Sequence, residues 1–135
     1  MASFEGVKVG DEMVIDPPNS RMSNSPRYVA KVEHVTRTQF VVGGCRFRKD
    51  SGSYIGGDRW HFAHVYHSTP ELLAAVTMEH RYFNAHENLI KLRNSLETVT
   101  REIDRIRDKH QLAETMEAAA ADMAAAIAKL QEAMP

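Results

Sequence analysis

The chain has one cysteine, Cys45, so no disulfide can form within it. Its first residues, MASFEGVKVGDEM, contain no apolar signal core. No run approaches the 18 or more apolar residues of a membrane-spanning helix. With no leader and no paired cysteine, the expected location is cytoplasmic. Catalytic signatures are missing as well: there is no H-E-x-x-H, no cysteine pair, no G-x-S-x-G and no paired-carboxylate motif. "VVGGC" is too short for a phosphate loop and lacks the lysine and helix such a loop needs. The expectation is a protein that is not an enzyme and uses no cofactor and no metal.

Breakers are absent from one half only. After Pro70 the next proline is Pro135, and no glycine intervenes. The first half is rich in valine, glycine and aromatic residues. This compositional step divides the chain into residues 1–68 and 69–135. Net charge also differs: residues 1–68 carry 9 Lys/Arg against 7 Asp/Glu, and residues 69–135 carry 8 against 11. Neither half is basic enough to demand nucleic acid, because phosphate neutralisation dominates that affinity.

Residues 1–68 read as strands. "DEMVIDP" is a short β-prone run stopped by Pro17-Pro18. "RYVAKVEHV" is a second strand, "QFVVGGCRFRK" a hairpin and "RWHFAHVYH" a last strand. In the hairpin, Gly43-Gly44 supplies the positive φ of a two-residue turn. "DSGS" and "IGGD" are turns. Five short strands in about 60 residues predict a small closed barrel, and a domain of that size buries only about 60% of its unfolded surface. The polar loop Pro17–Pro26 is expected either to carry recognition or to be simply disordered.

Residues 69–135 read as helix. Thr69 is an N-cap, Pro70 suits the first turn and Glu71 complements the dipole. One helix over the whole span would be about 95 Å long. Ala75, Met78, Tyr82, Ala85, Leu89, Leu92, Leu96, Val99, Ile103 and Ile106 recur at spacings of three and four, the period of a left-handed coiled coil. Position a holds Ala75, Tyr82, Leu89, Leu96 and Ile103; position d holds Met78, Ala85, Leu92, Val99 and Ile106. Glu102 and Arg107 flank the seam, while Asn88, Ser95 and Thr100 leave it weakly coded. Tyr82, Leu89, Leu92, Leu96, Val99, Ile103 and Ile106 are therefore the candidate oligomerisation residues. A second apolar series, Leu112, Met116, Ala119, Met123, Ala126 and Leu130, starts out of phase after "RDKHQ". With no glycine there, continuity is expected; the alternative is a helical hairpin broken near residues 107–111. The predicted class is α+β: a small SH3-like β-barrel followed by a long C-terminal helix or coiled coil.

The pattern VKVGDEMVI, followed by YVAKVEHVTRTQFVVGGCRFRKDSGSYIG, resembles a group of small uncharacterised phage and prophage proteins with an SH3-like barrel. Val9-Gly10-Asp11-Glu12, Val32 through Thr38-Gln39, Phe47-Arg48-Lys49, Ser51-Gly52 and Gly56 carry the likeness. It covers roughly residues 6–67. The resemblance implies a barrel fold and a phage origin, and gives no catalytic residue.

Alternation in "CRFRKD" puts Cys45, Phe47 and Lys49 on one strand face and Arg46 and Arg48 on the other. With Phe47 in the core, Arg46 and Arg48 project outward. Arg37 and Arg59 lie near strand ends, and Tyr54 and Trp60 are close enough to stack on a peptide or a base. These six are the candidate partner-binding residues, against the plain reading of a solvated face that discourages edge pairing. His61, His64 and His67 alternate in direction on a strand and do not converge on a metal. Cys45 reads as a buried structural thiol. The resulting expectation is a homo-oligomer that binds a protein partner, such as a host factor. The alternative is a nucleic-acid-binding accessory protein using Arg46, Arg48, Lys49 and Arg59. No membrane role is expected.

Overall fold

The structure, a computed structural model, describes residues 3–18, 25–57 and 61–135. Among them the chain runs through β1 (Glu12–Asp16), β2 (Tyr28–Val35), β3 (Gln39–Val42), β4 (Cys45–Arg48), β5 (Tyr54–Ile55) and β6 (His64–His67). Helix α1 (Pro70–Arg105), a 3-10 turn (His110–Leu112) and helix α2 (Ala113–Ala133) follow. The fold is α+β, a curled antiparallel half-barrel and then helices. It divides into two compact units, Met1–Leu89 and Ile90–Pro135.

The strand order is β5-β4-β3-β2-β1-β6, with every neighbouring pair antiparallel. The sheet therefore has two edges, β5 and β6, where a closed five-stranded barrel was expected. The extra strand, Tyr54–Ile55, lies between the two predicted turns. Two residues are too few to show a period. The last strand spans only His64–His67, and Arg59 and Trp60 lie outside the described residues, as does most of the Pro17–Pro26 loop.

The β3–β4 turn follows the sequence closely. Gly43 and Gly44 have φ of 57° and 73°, and Val42 pairs with Cys45 across them. A side chain on Gly43 would also collide, because its Cβ would lie 2.6 Å from the Tyr28 hydroxyl. One irregularity lies opposite: the β2–β3 register shifts between Val32 and His34, leaving Glu33 as the extra residue. Its carboxylate accepts a hydrogen bond from the Gly44 amide at 3.3 Å.

Inside the curl, alternate residues fill one core: Met13, Ile15, Val32, Phe40, Val42, Phe47 and Val65, with Phe4, Val7 and Ala63. Phe4 comes from neither strand nor helix. Its ring lies between His67, 4.4 Å away between centroids, and Phe40, 5.4 Å away. Phe40 in turn meets Phe47, and Phe47 meets Tyr54. The aromatic series thus crosses the core from one sheet edge to the other. The N-terminal segment is tied at both ends of that path. The Phe4 amide donates to the Lys49 carbonyl at 3.0 Å, and His67 Nε2 is 2.9 Å from the Ser3 carbonyl oxygen. A strap of coil from residue 3 to 7 therefore covers the opening that the sheet leaves. This is the physical substitute for barrel closure.

Helix α1 starts where the sequence predicts. The Leu72 amide donates to Thr69 Oγ1 at 3.2 Å, and Glu71 sits in the first turn. Arg27 then fastens the helix to the sheet. Its Nε donates to both carboxylate oxygens of Glu79 at 3.0 and 3.1 Å, its Nη2 also donates to Glu79, and its carbonyl oxygen lies 2.6 Å from His80 Nε2. Arg27 also feels Asp16 and Tyr66, which lie on the outer face of the sheet, opposite the core-facing Ile15 and Val65. Val14, on that outer face, is completely buried, and Val76 is the buried residue of α1. On α1 Leu72, Leu73, Val76, His80 and Phe83 are buried or half-buried, on the side that carries the Arg27 contacts.

At about 100° per residue, Met78, Tyr82, Ala85 and Leu89 lie about 120–180° around the helix from Val76, and Ala75 about 100°. All five are exposed. The first part of α1 thus carries two apolar sides, of which the heptad series is the outward one.

The expected continuity beyond residue 106 fails. Helix α1 ends at Arg105, with the Ile106 amide closing a short turn on the Ile103 carbonyl at 3.1 Å. Asp108 then accepts a hydrogen bond from the His110 amide at 3.3 Å, and the Leu112 amide donates to the Lys109 carbonyl. A short acidic side chain competing for backbone amides ends the helix without glycine or proline. Ile106, assigned to the seam, lies just past the helix end. No residue from 90 to 135 is buried, and a coiled coil is not part of the single chain.

Candidate functional site

Two surfaces collect the candidate residues. The first is the outer face of β3–β4. Phe47 is fully buried, so strand alternation sends Arg46 and Arg48 outward, as expected. Arg48 stands opposite Gln39, and Arg46 opposite Val41 and Ile55. Arg37 sits in the β2–β3 turn, which is held by the Gln39 amide donating to Thr36 Oγ1 at 3.1 Å and the Thr36 amide donating to the Gln39 carbonyl at 2.8 Å. Arg37 and Arg48 line one open depression of about 270 Å³ with Glu5, Thr38, Gln39 and Asp50.

The depression is not a basic patch. Its lining residues include two arginines and two acidic residues, a formal charge of zero. Neither Glu5 nor Asp50 was marked by the sequence reading. Glu5 arrives only because Phe4 docks beside Lys49, a contact 45 residues apart in sequence. Asp50 is held in its turn by the Ser51 hydroxyl, which donates to Oδ1 at 3.0 Å.

Other candidates separate from this site. Tyr54 packs toward the core against Phe47, on the opposite side of the sheet from Arg46. Lys49 is 8% exposed and alternates onto the Phe47 side, away from Arg46 and Arg48. Arg59 and Trp60 lie outside the described residues. The structure thus brings Arg37 and Arg48 together, places Arg46 farther along the same face, and takes Tyr54 away.

Reactive groups are dispersed. Burial pushes the Cys45 thiol above its ordinary pKa, and the neighbouring Glu33 carboxylate pushes it further. Both effects disfavour the nucleophilic thiolate. His67 stacks on Phe4, His80 binds the Arg27 carbonyl and His86 stacks on Tyr82. Among the described residues, no three His, Cys, Asp or Glu side chains are placed to hold a metal ion.

The second surface is the outward side of α1. Tyr82 is 73% exposed and Leu92 66%. Leu89, Leu96, Val99 and Ile106 are exposed too, and Ile103 is half-buried. Met116, Met123, Ile127 and Leu130 on α2 are likewise exposed. Among the described residues, no helix is long and apolar enough to cross a membrane. The chain matches no protein family, no curated protein and no solved structure.

Proposed function

We propose that this chain is a non-enzymatic interaction protein that associates with itself through α1 and presents its sheet domain to a protein partner. In this reading the half-barrel with its strap is an SH3-like barrel. The phage origin implied by the sequence resemblance makes a cytoplasmic host factor the partner class. Arg37, Arg46 and Arg48 supply the presented face.

One observation carries the reading. Helix α1 already spends one side on the sheet, through Val76 and Arg27, yet its opposite side keeps an unbroken heptad series in the open. A single exposed apolar residue is ordinary; a series of them at heptad spacing on one side of a helix is the pattern of an interhelical contact. The mixed charge of the depression favours a protein partner over nucleic acid. Against nucleic acid, binding should show a shallow dependence on salt.

The test is Leu96→Glu with Ile103→Lys. In an assembly these charges enter an apolar interface, where even one unpaired charge costs several kcal/mol. Sedimentation equilibrium should show the wild-type chain above monomer mass and the variant at monomer mass, with near-ultraviolet circular dichroism unchanged. A wild-type chain that stays monomeric at high concentration refutes self-association. Loss of the dichroism signal in the variant would place the two residues in an intramolecular core instead.

A further inference from the structure

We infer that two copies of α1 pair antiparallel, with the two-fold axis passing beside Leu89 and Leu92; this rests on the self-association just proposed. The argument uses the sizes and charges along the seam.

In a parallel, in-register pair each residue meets itself. Ala75 would face Ala75 and Ala85 would face Ala85, while Tyr82 would face Tyr82 between them. The very wide Tyr82 layer would adjoin the narrow Ala85 layer, with a second narrow layer at Ala75 beyond Met78, leaving voids near a clash. Turning one helix around changes every layer. With Leu89 set against Leu92 of the second copy, Ala85 faces Leu96, Tyr82 faces Val99 and Met78 faces Ile103, and Ala75 lies past the end of the second helix. Ala85 now meets a large aliphatic residue, and the largest residue meets a smaller one. A register shorter by one heptad fills as many seam positions within α1, and the flanking charges separate the two.

The flanking charges agree. Position g holds Arg81, Asn88, Ser95 and Glu102, and antiparallel helices bring g against g. Arg81 then lies beside Glu102 of the second copy, twice by symmetry, and Asn88 beside Ser95. Both charged residues are exposed, and among the described residues neither is taken up by an ion pair. Glu79, which shares the seam edge at position e, is already held by Arg27. On that edge His86 meets Arg93, which adds no attraction. In a parallel pair Arg81 would instead meet His86, and Glu102 would meet Arg107, which lies beyond the end of α1.

The orientation sets a distance. Thr77 is exposed, and its hydroxyl bonds only to the Leu73 carbonyl of its own helix, at 2.9 Å. With the axis midway between Leu89 and Leu92, the two Thr77 positions are separated by 27 residues of helical rise, about 40 Å. In a parallel pair they lie about 20 Å apart or less.

The test is electron–electron double resonance on the full chain, spin-labelled at Thr77→Cys in a Cys45→Ser background. The expected result is a distance near 40 Å. A distance of about 20 Å or less in a sample of dimer mass overturns the orientation and leaves self-association standing. Monomer mass with no dipolar signal overturns both. A second measurement needs no label. Arg81→Glu should weaken the dimer on the order of tenfold, because two ion pairs become two repulsions, and adding Glu102→Arg should restore it to within about threefold of wild type. If the second change weakens the dimer further, Arg81 and Glu102 are not neighbours and the antiparallel register is wrong.

Discussion

Removing the ring of Phe4 should cost this protein more than its place near the chain terminus suggests. Phe4 is 3% exposed, lies between His67 and Phe40, and fastens the strap that covers the open sheet. A Phe→Ala change in a packed core costs about 3–5 kcal/mol. A second position reports on the same contact from outside. Gly52 has a φ of +69°, and a Cβ there would stand 2.5 Å from Phe4 Cε2. Gly52→Ala should therefore combine two costs: about 1–2 kcal/mol for alanine in the left-handed region and about 1–3 kcal/mol for overpacking. Gly44 isolates the first, since its φ is +73° and a Cβ would meet nothing within 4 Å. The order of cost should be Phe4→Ala, then Gly52→Ala, then Gly44→Ala. In a Phe4→Ala background, Gly52→Ala should fall to the cost of Gly44→Ala, a coupling of about 1–3 kcal/mol. Urea unfolding followed by near-ultraviolet circular dichroism at one protein concentration measures all of these. A Phe4→Ala cost below about 1 kcal/mol, or a Gly52→Ala cost equal to that of Gly44→Ala with Phe4 intact, would refute the strap.

Two further outcomes follow from single contacts. Hydrogen bonds from Arg27 hold the Glu79 carboxyl below the usual carboxylate range; since the unfolded value is about 4.3, the pair stabilises the fold above that pH and its contribution is lost as pH falls through the lower, folded value. Glu79→Gln should accordingly lower the thermal midpoint at pH 7 by the equivalent of about 1 kcal/mol or less, given the partial exposure of the pair, and the gap to wild type should close as the pH is lowered below about 4; a constant gap across the titration would show that the carboxylate charge is not what Arg27 uses. Cys45 should react slowly with a disulfide reagent at pH 8, where an ordinary thiol of pKa about 8.5 is already partly ionised, and Glu33→Gln should speed it; reaction as fast as that of a free thiol would mean that neither burial nor Glu33 raises its pKa.

Much of the local structure was legible in the sequence because its causes act over a few residues. The Gly43-Gly44 turn, the Thr69 cap and the outward facing of Arg46 and Arg48 around Phe47 each depend on neighbours within four positions. The heptad series of α1 is local in the same sense, since which residues share a side of the helix follows from helical period alone. What tertiary structure decided were contacts between distant residues: Phe4 with Lys49, Ser3 with His67, and Arg27 with Glu79 and His80. No short-range pattern announces a coil segment that substitutes for strand pairing, or a two-residue strand such as β5. The same holds for the candidate site. Arg37 and Arg48 could be named from their types, but only the docking of the strap brought Glu5 beside them and made the depression neutral. Helix α1 shows the boundary between the two kinds of information most clearly. Periodicity identifies apolar sides, and here there are two. Which one is covered was settled by tertiary contacts, because Arg27 holds Glu79, 52 residues later, and His80 on the side of buried Val76, while Leu89 and Leu92 stay exposed.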